Sequence, residues 1–311
     1  MLFQTQELLD NITYKRSLHD KGRQWFIEHP KLNPYRFSFK KIFQIATSRI
    51  RTLPDFLIIG SSKSGTTSLY SYLRQHPNVF AETNIHFFEY ILSNNILWYK
   101  SHFPTNIYKL YIKWKTRHDL LSGEHVVSHL FHPLVPQRVK EIIPTVKLIV
   151  LLRNPVERAY SHYQMLVRNH LERRFFIDAL RSELKRIEIG QKEPKLKINN
   201  PDFDNAVSFS YLRHGIYVDK LKHWMNFFPK EQFLIFSTDE LNSNPKYVIQ
   251  QTFDFLNLPP FEIKNLEKQN VGKYEKIDEE TKEFLIKFYK PHNERLYQLL
   301  DRDLHWNNSN K

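Results

Sequence analysis

The chain of 311 residues has no cysteine, few glycines and no long apolar run. Without cysteine there is no disulfide scaffold, no thiolate metal site and no thiol nucleophile, while the redox compartment stays open. The most apolar stretches, Phe56–Ile59 and Leu148–Leu152, fall far short of the ~18–20 residues a spanning helix needs. The first ten residues lack the basic-then-apolar layout of a secretion signal. These absences lead to the expectation of a soluble, cytoplasmic protein. Hydrophobic residues are 41% and aromatics 14% of the chain, which excludes wholesale disorder and supplies a core for one large or two small domains.

Acidic residues are in the minority, 33 against 46 Lys and Arg, for a net charge of +13. The excess is dispersed. Residues 1–52 hold ten basic and four acidic side chains, a local +6. Such a balance suits a solvated surface or an anionic partner: a phosphorylated cofactor, an acidic glycan, nucleic acid or a membrane. No zinc finger, RNP-like aromatic motif or dense basic tail is present, so no nucleic-acid partner is expected.

Residues 1–52 read as an N-terminal extension of irregular and helical pieces. A composition shift follows, and residues 53–305 read as one domain. Phe56–Gly60, Lys147–Leu152 and Phe233–Phe236 are short apolar runs of the buried parallel-strand kind. The first leads into a helix over Thr66–Gln75. The second leads into Asn154-Pro155-Val156-Glu157, an N-cap, a proline at N1 and a glutamate placed to close a capping box. Glu279–Leu300 reads as helix interrupted near Pro291, and residues 185–206 read as a surface insertion. Strands alternating with helices predict an α/β fold of three layers around a central parallel sheet.

Two of only seven glycines fall in Gly60-Ser61-Ser62-Lys63-Ser64-Gly65-Thr66-Thr67-Ser68, between a buried strand and a helix. Free backbone N–H groups and the positive end of the helix there favour an anion. The segment approaches a phosphate-binding P-loop but has Gly65-Thr66-Thr67 in place of Gly-Lys-Ser/Thr, and its lysine comes earlier, at Lys63. The second strand ends in Arg153, where a magnesium-binding aspartate would be expected of an ATPase. His125, His129 and His132 have spacing compatible with metal ligation, but Val126 and Val127 argue against a helix and no carboxylate sits at ligand spacing. No Gly-x-Ser-x-Gly elbow supports a serine hydrolase.

Phe56–Leu69 resembles the 5′-phosphosulfate loop of sulfotransferases that use 3′-phosphoadenosine 5′-phosphosulfate (PAPS). Lys147–Tyr163 resembles their 3′-phosphate-binding segment. His86-Phe87-Phe88, Trp98-Tyr99, Gly123-Glu124, Gly215-Ile216-Tyr217, Trp224 and Pro291-His292-Asn293-Glu294 are similar to the carbohydrate, heparan-sulfate-type branch. The resemblance covers roughly residues 54–300. It implies a P-loop-NTPase-like sulfotransferase architecture, PAPS as sulfuryl donor, no metal, and a glycan acceptor. It assigns Lys63 to the bridging oxygen and departing phosphate. Ser64, Gly65, Thr66, Thr67 and Ser68 would hold the 5′-phosphosulfate, and Arg153 and Ser161 the 3′-phosphate.

One position departs from that branch. The glutamate that takes the acceptor proton would fall at residue 84, which is Asn84, and a neutral amide cannot accept a proton near neutral pH. The base is then His86, Glu82 by a small loop shift, or a residue elsewhere such as His125 or His129. Two other readings stay open: a catalytically weak PAPS- or glycan-binding homologue, and a nucleotide-dependent phosphotransferase. Acceptor identity, the choice of hydroxyl or amine, and oligomeric state are not encoded in any motif.

Overall fold

The computed structural model describes residues 39–89, 96–189, 209–269, 272 and 275–307. It divides into two units, Met1–Arg49 and Ile50–Lys311. In chain order the elements are α1 (Phe39–Ala46), β1 (Phe56–Gly60), α2 (Thr66–Leu73), β2 (Val79–Thr83), α3 (Ile96–Lys100), α4 (Asn106–Thr116), β3 (Leu121–His125), α5 (Val135–Ile142), β4 (Lys147–Leu152), α6 (Pro155–Arg168), α7 (Phe176–Glu188), α8 (Tyr217–Met225), β5 (Phe233–Ser237), α9 (Thr238–Ser243), α10 (Pro245–Leu256) and α11 (Glu279–Leu300). Among the described residues, only α1 and the start of the turn after it belong to the first unit.

The second unit is built on five parallel strands in the order β2-β3-β1-β4-β5. Side chains alternate across a strand, and the two faces of β1 show why its run is continuously apolar. Leu57 and Ile59 join a core with Tyr99 of α3, Val135 and Val139 of α5, Trp224 of α8 and Leu296 of α11. Phe56 and Ile58 join the opposite core with Leu69 and Leu73 of α2 and Val248 and Phe253 of α10. Helices therefore cover both faces, and the expected three-layer α/β fold is the one found. A third core ties α6, α7 and α11 together through Ala159, Leu180, Leu285 and Tyr289.

Three strands follow the sequence reading closely. The other two, β2 and β3, were not anticipated, because Phe-Ala-Glu-Thr and Ser-Gly-Glu-His carry polar residues that mask the apolar signal. Packing selects Gly123: a Cβ there would lie 2.1 Å from the Phe56 ring.

At α6 the expected N-cap is present, with Asn154 Oδ1 accepting from Val156 N at 3.0 Å. The capping box is not the use made of Glu157, whose carboxylate turns to the Arg153 guanidinium. The break expected near Pro291 is also absent, and α11 is continuous through it. Pro291 is exposed, so the carbonyl it leaves without a partner can reach water while Leu285, Tyr289, Asn293 and Leu296 hold the buried face. Of the predicted surface insertion, residues 185–188 end α7, and 190–206 lie outside the described residues. Residues 1–38 of the expected N-terminal extension also lie outside them.

Candidate active site

The chain leaves β1 toward β2 on one side, and β4 leads to β5 on the other, so the order reverses between neighbours β1 and β4. A crevice outside the carboxyl ends of strands at such a point is where open α/β sheets bind ligands. The two sequence motifs meet there. Arg153 Nη1 donates to the carbonyl of Lys63 at 3.3 Å. Thr238, just after β5, donates its hydroxyl within reach of both Ser64 O (2.9 Å) and Leu152 O (3.1 Å). Ser61 N donates to Leu151 O at 2.6 Å.

The loop itself is shaped by two left-handed residues, Lys63 at φ 70° and Gly65 at φ 85°. Gly65 is the N-cap of α2 and offers no side-chain cap, so the first N–H groups of that helix are left for another acceptor. A Cβ on Gly65 would add strain at that φ and come 3.2 Å from Leu241. Ser64 is fully buried, its hydroxyl 2.6 Å from that of Ser61.

Over this loop opens a cavity of about 580 Å³. Lys63, Gly65, Thr66, Thr67, Ser68, Arg153 and Ser161 all line it, and Ser64 is not among the lining residues. The described lining residues include Lys63, Arg153 and Lys268 and no carboxylate. Burial, then the charges of Arg168 and Arg153, lower the Lys63 pKa from its ordinary value. Cations that repel one another around free N–H groups make a site for a polyanion. Arg153 is meanwhile held by Glu157, with Nε at 3.0 Å and Nη2 at 2.9 Å from Oε2. Its carbonyl accepts from the Tyr217 hydroxyl at 2.9 Å.

Sequence reasoning missed one wall of this cavity. Lys268, Gln269 and Gly272 line it, and Gln269 N donates to Ser68 Oγ at 2.9 Å. The available signal was Gly272, one of few glycines, inside a lysine-bearing loop. Thr238 was missed for a different reason, since nothing local distinguishes it from an ordinary helix-start threonine.

The opposite wall comes from β2 and β3: Thr83, Asn84, His125 and Val127. Asn84 is left-handed, φ 57°, and its N–H donates to His125 O at 3.1 Å. The Thr83 hydroxyl also donates to His125 O, at 3.1 Å, and lies 3.2 Å from His125 Nδ1. His125 Nε2 is buried and has no protein partner. The ring stacks on Tyr70 at 5.2 Å. Burial pulls its pKa down to about 4, which keeps it neutral.

Neither His86 nor Glu82 is among the cavity's lining residues. His86 Nδ1 is 2.8 Å from Glu89 Oε2, whose other oxygen accepts from the Ser128 hydroxyl at 2.5 Å. The Glu89 hydrogen bond raises the His86 pKa. Behind them Glu124 is buried with Oε2 bonded to the Tyr99 hydroxyl at 2.5 Å, and burial raises its pKa to about 7. His129 is buried without a hydrogen-bond partner for either ring nitrogen, and burial lowers its pKa to about 3. Among the described residues, no group of three or more His, Cys, Asp or Glu is arranged to hold a metal ion.

Residues 53–292 match the sulfotransferase domain family. The chain is 27% identical to the membrane-associated sulfotransferase kil1 of Dictyostelium discoideum, over 84% of this chain and 68% of that protein. It is 27% identical to heparan sulfate glucosamine 3-O-sulfotransferase 6 of Homo sapiens, over 82% of this chain and 74% of that protein. A solved sulfotransferase from Alicyclobacillus acidocaldarius superposes with a TM-score of 0.63 at 26% identity, covering 83% of this chain and all of that one. With the family matched across most of its length, this chain belongs to the PAPS-dependent sulfotransferases.

Proposed function

We propose that the protein transfers a sulfuryl group from PAPS to a hydroxyl or amine of a carbohydrate. The observation that carries this reading is the cation-lined cavity shared by the ends of β1 and β4, which has no carboxylate among its described lining residues. It suits a donor phosphorylated at both the 5′ and 3′ positions, whereas a magnesium nucleotide calls for an acid near the metal. The glycan acceptor is supported by the heparan sulfate enzyme above. Cytoplasmic residence draws no support from the relatives, one of which is described as membrane-associated.

Bound in this cavity, PAPS supplies an activated sulfuryl group with a phosphate leaving group. The N–H groups at the start of α2, with Thr66, Thr67 and Ser68, hold its 5′ end. Arg153 and Ser161 hold the 3′-phosphate, Arg153 through its planar fork once it exchanges some of its contact with Glu157. Lys63 meets the negative charge that develops on the leaving side. His125 takes the acceptor proton at Nε2. The support for His125 over His86 is its place in the cavity wall beside Asn84, with no protein partner on Nε2. The His86 imidazole is already engaged by Glu89. A donor anion in the cavity raises the His125 pKa back toward neutrality and improves it as a base.

Thermal unfolding with adenosine 3′,5′-bisphosphate, ATP plus magnesium, and AMP tests the donor. The bisphosphate should stabilise most, and Arg153→Ala should remove that preference. Greater stabilisation by ATP with magnesium would favour a phosphotransferase instead. Transfer of labelled sulfate from PAPS to heparan-type oligosaccharides then separates an enzyme from a ligand-binding homologue without turnover.

A further inference from the structure

Helix α4 runs across the amino ends of the strands, opposite the cavity. Its N-cap residue Thr105 bridges to Arg51, before β1. Lys109 Nζ lies 2.7 Å from Asp55 Oδ2, also just before β1. Thr116 Oγ1 accepts from Asn78 Nδ2 at 2.7 Å, just before β2. Ile112 is buried on the same side. The body-facing side of the helix is thus fixed by one apolar contact and two polar ties.

The other side is apolar and faces out. Ile107 (68% exposed), Leu110 (66%), Tyr111 (50%) and Trp114 (69%) recur at i, i+3, i+4 and i+7. At 3.6 residues per turn they form a stripe about 100° wide. Lys113 and Lys115 fall on its two margins, and the sequence of α4, NIYKLYIKWKT, contains no acid. Arg117 follows as the C-cap. Asp119 is the neighbouring acid, paired with Lys113 at 2.9 Å with both side chains largely exposed, a pairing of little strength in water. Contiguous apolar surface of this kind on a soluble domain marks an interaction site.

We propose that this face of α4 docks on an anionic lipid surface. Ile107, Leu110, Tyr111 and Trp114 enter the boundary between headgroups and acyl chains, and Lys113, Lys115 and Arg117 meet the anionic headgroups. Aromatic and lysine side chains favour that boundary because each has an apolar body and a polar end. The charge pattern selects lipid over a second copy of the chain. A face-to-face pair of α4 helices would set the marginal lysines of one against those of the other. One helix about 16 Å long also offers less than the ~800 Å² per partner of a stable interface. The orientation suits the chemistry, because lipid at the amino edge of the sheet leaves the cavity at the carboxyl edge open to a large acceptor.

The test is co-sedimentation of the full chain with vesicles of phosphatidylcholine alone and of phosphatidylcholine with 30% phosphatidylserine. The wild type should bind the anionic vesicles and not the neutral ones. Leu110→Ser with Trp114→Ser should lower the partition coefficient at least tenfold, and Lys113→Glu or Lys115→Glu about fivefold each. Because these side chains are exposed, unfolding temperatures should stay at the wild-type value, which separates lost docking from lost folding. Anionic-vesicle binding unchanged in the Leu110/Trp114 variant would overturn the proposal. So would absence of wild-type binding, or its loss only in Ile42→Ser/Phe43→Ser, which alters the exposed apolar residues of α1. Light scattering that finds a dimer abolished by the Leu110/Trp114 substitutions, without vesicle binding, would assign the face to self-association.

Discussion

The two halves of the carboxyl edge are built by different means. On the β1/β4 side the anion site is largely backbone: left-handed turns at Lys63 and Gly65, the uncapped start of α2, and one arginine tied across the strands to a loop carbonyl. On the β2/β3 side the site is made of side chains brought together by strand register. Thr83 lies opposite His125, and its hydroxyl reaches both the carbonyl and Nδ1 of that residue. The first half is a charge trap that any phosphorylated ligand of the right span can use. In the proposed mechanism the second delivers one proton to one atom, so it has little tolerance for substitution.

Breaking the second half should therefore have the largest effect. His125→Asn should lower kcat by about 10²–10⁴, the range for removing a general base, with donor KM little changed. Asn84→Glu in the same chain places a carboxylate on the adjacent wall and should restore part of the loss. A single His125→Asn variant with wild-type turnover would remove His125 from the chemistry. On the first half, Lys63→Ala should lower kcat by about 10²–10³, as for loss of one preorganised charge-stabilising donor. Stabilisation by the desulfated bisphosphate should persist there, since several backbone groups still hold it. If kcat is untouched and only KM rises, Lys63 serves binding alone.

A smaller effect is structural. Gly123→Ala should destabilise the protein by about 3 kcal/mol, since the new methyl overlaps the buried Phe56 ring and neither central strand can move aside. Denaturant unfolding measures it, and a change below about 0.5 kcal/mol would show that the ring can turn away.

The smallest effect concerns pH. With the His129 pKa held near 3 by burial, the unfolded chain binds a proton below pH ~6.5 that the folded chain refuses. Stability then falls as the pH drops, by about 1.4 kcal/mol per unit for this group. Glu124, raised to about 7, acts in the opposite direction between pH 7 and its unfolded value of ~4.3. His129→Leu should flatten the decline in unfolding free energy from pH 6.5 to 5, and Glu124→Gln should steepen it. An unchanged slope in His129→Leu would mean that the imidazole is protonated in the folded protein.

The amino-acid sequence was sufficient for whatever is local and backbone-made. A run of apolar residues closed by glycine, then lysine, hydroxyls and a helix start, sits within fourteen consecutive positions. Its anion-binding character follows from chain geometry that neighbours in sequence impose on one another. The same holds for the Asn154-Pro155 helix start and for β1, β4 and β5, whose apolar runs have no soluble alternative. Tertiary structure alone decided what depends on register and on distant segments. Strand β3 became a strand because β1 offered it an edge and because Gly123 made room for Phe56, and β2 then paired with β3. The cavity acquired Thr238 from β5's end and Gln269 from a loop 201 positions beyond Ser68. Strand register set Thr83 beside His125 at the cavity wall, while His86 and Glu82 fell outside its lining. Those relations are set by which strands lie side by side, a property of the packed sheet that no stretch of sequence carries.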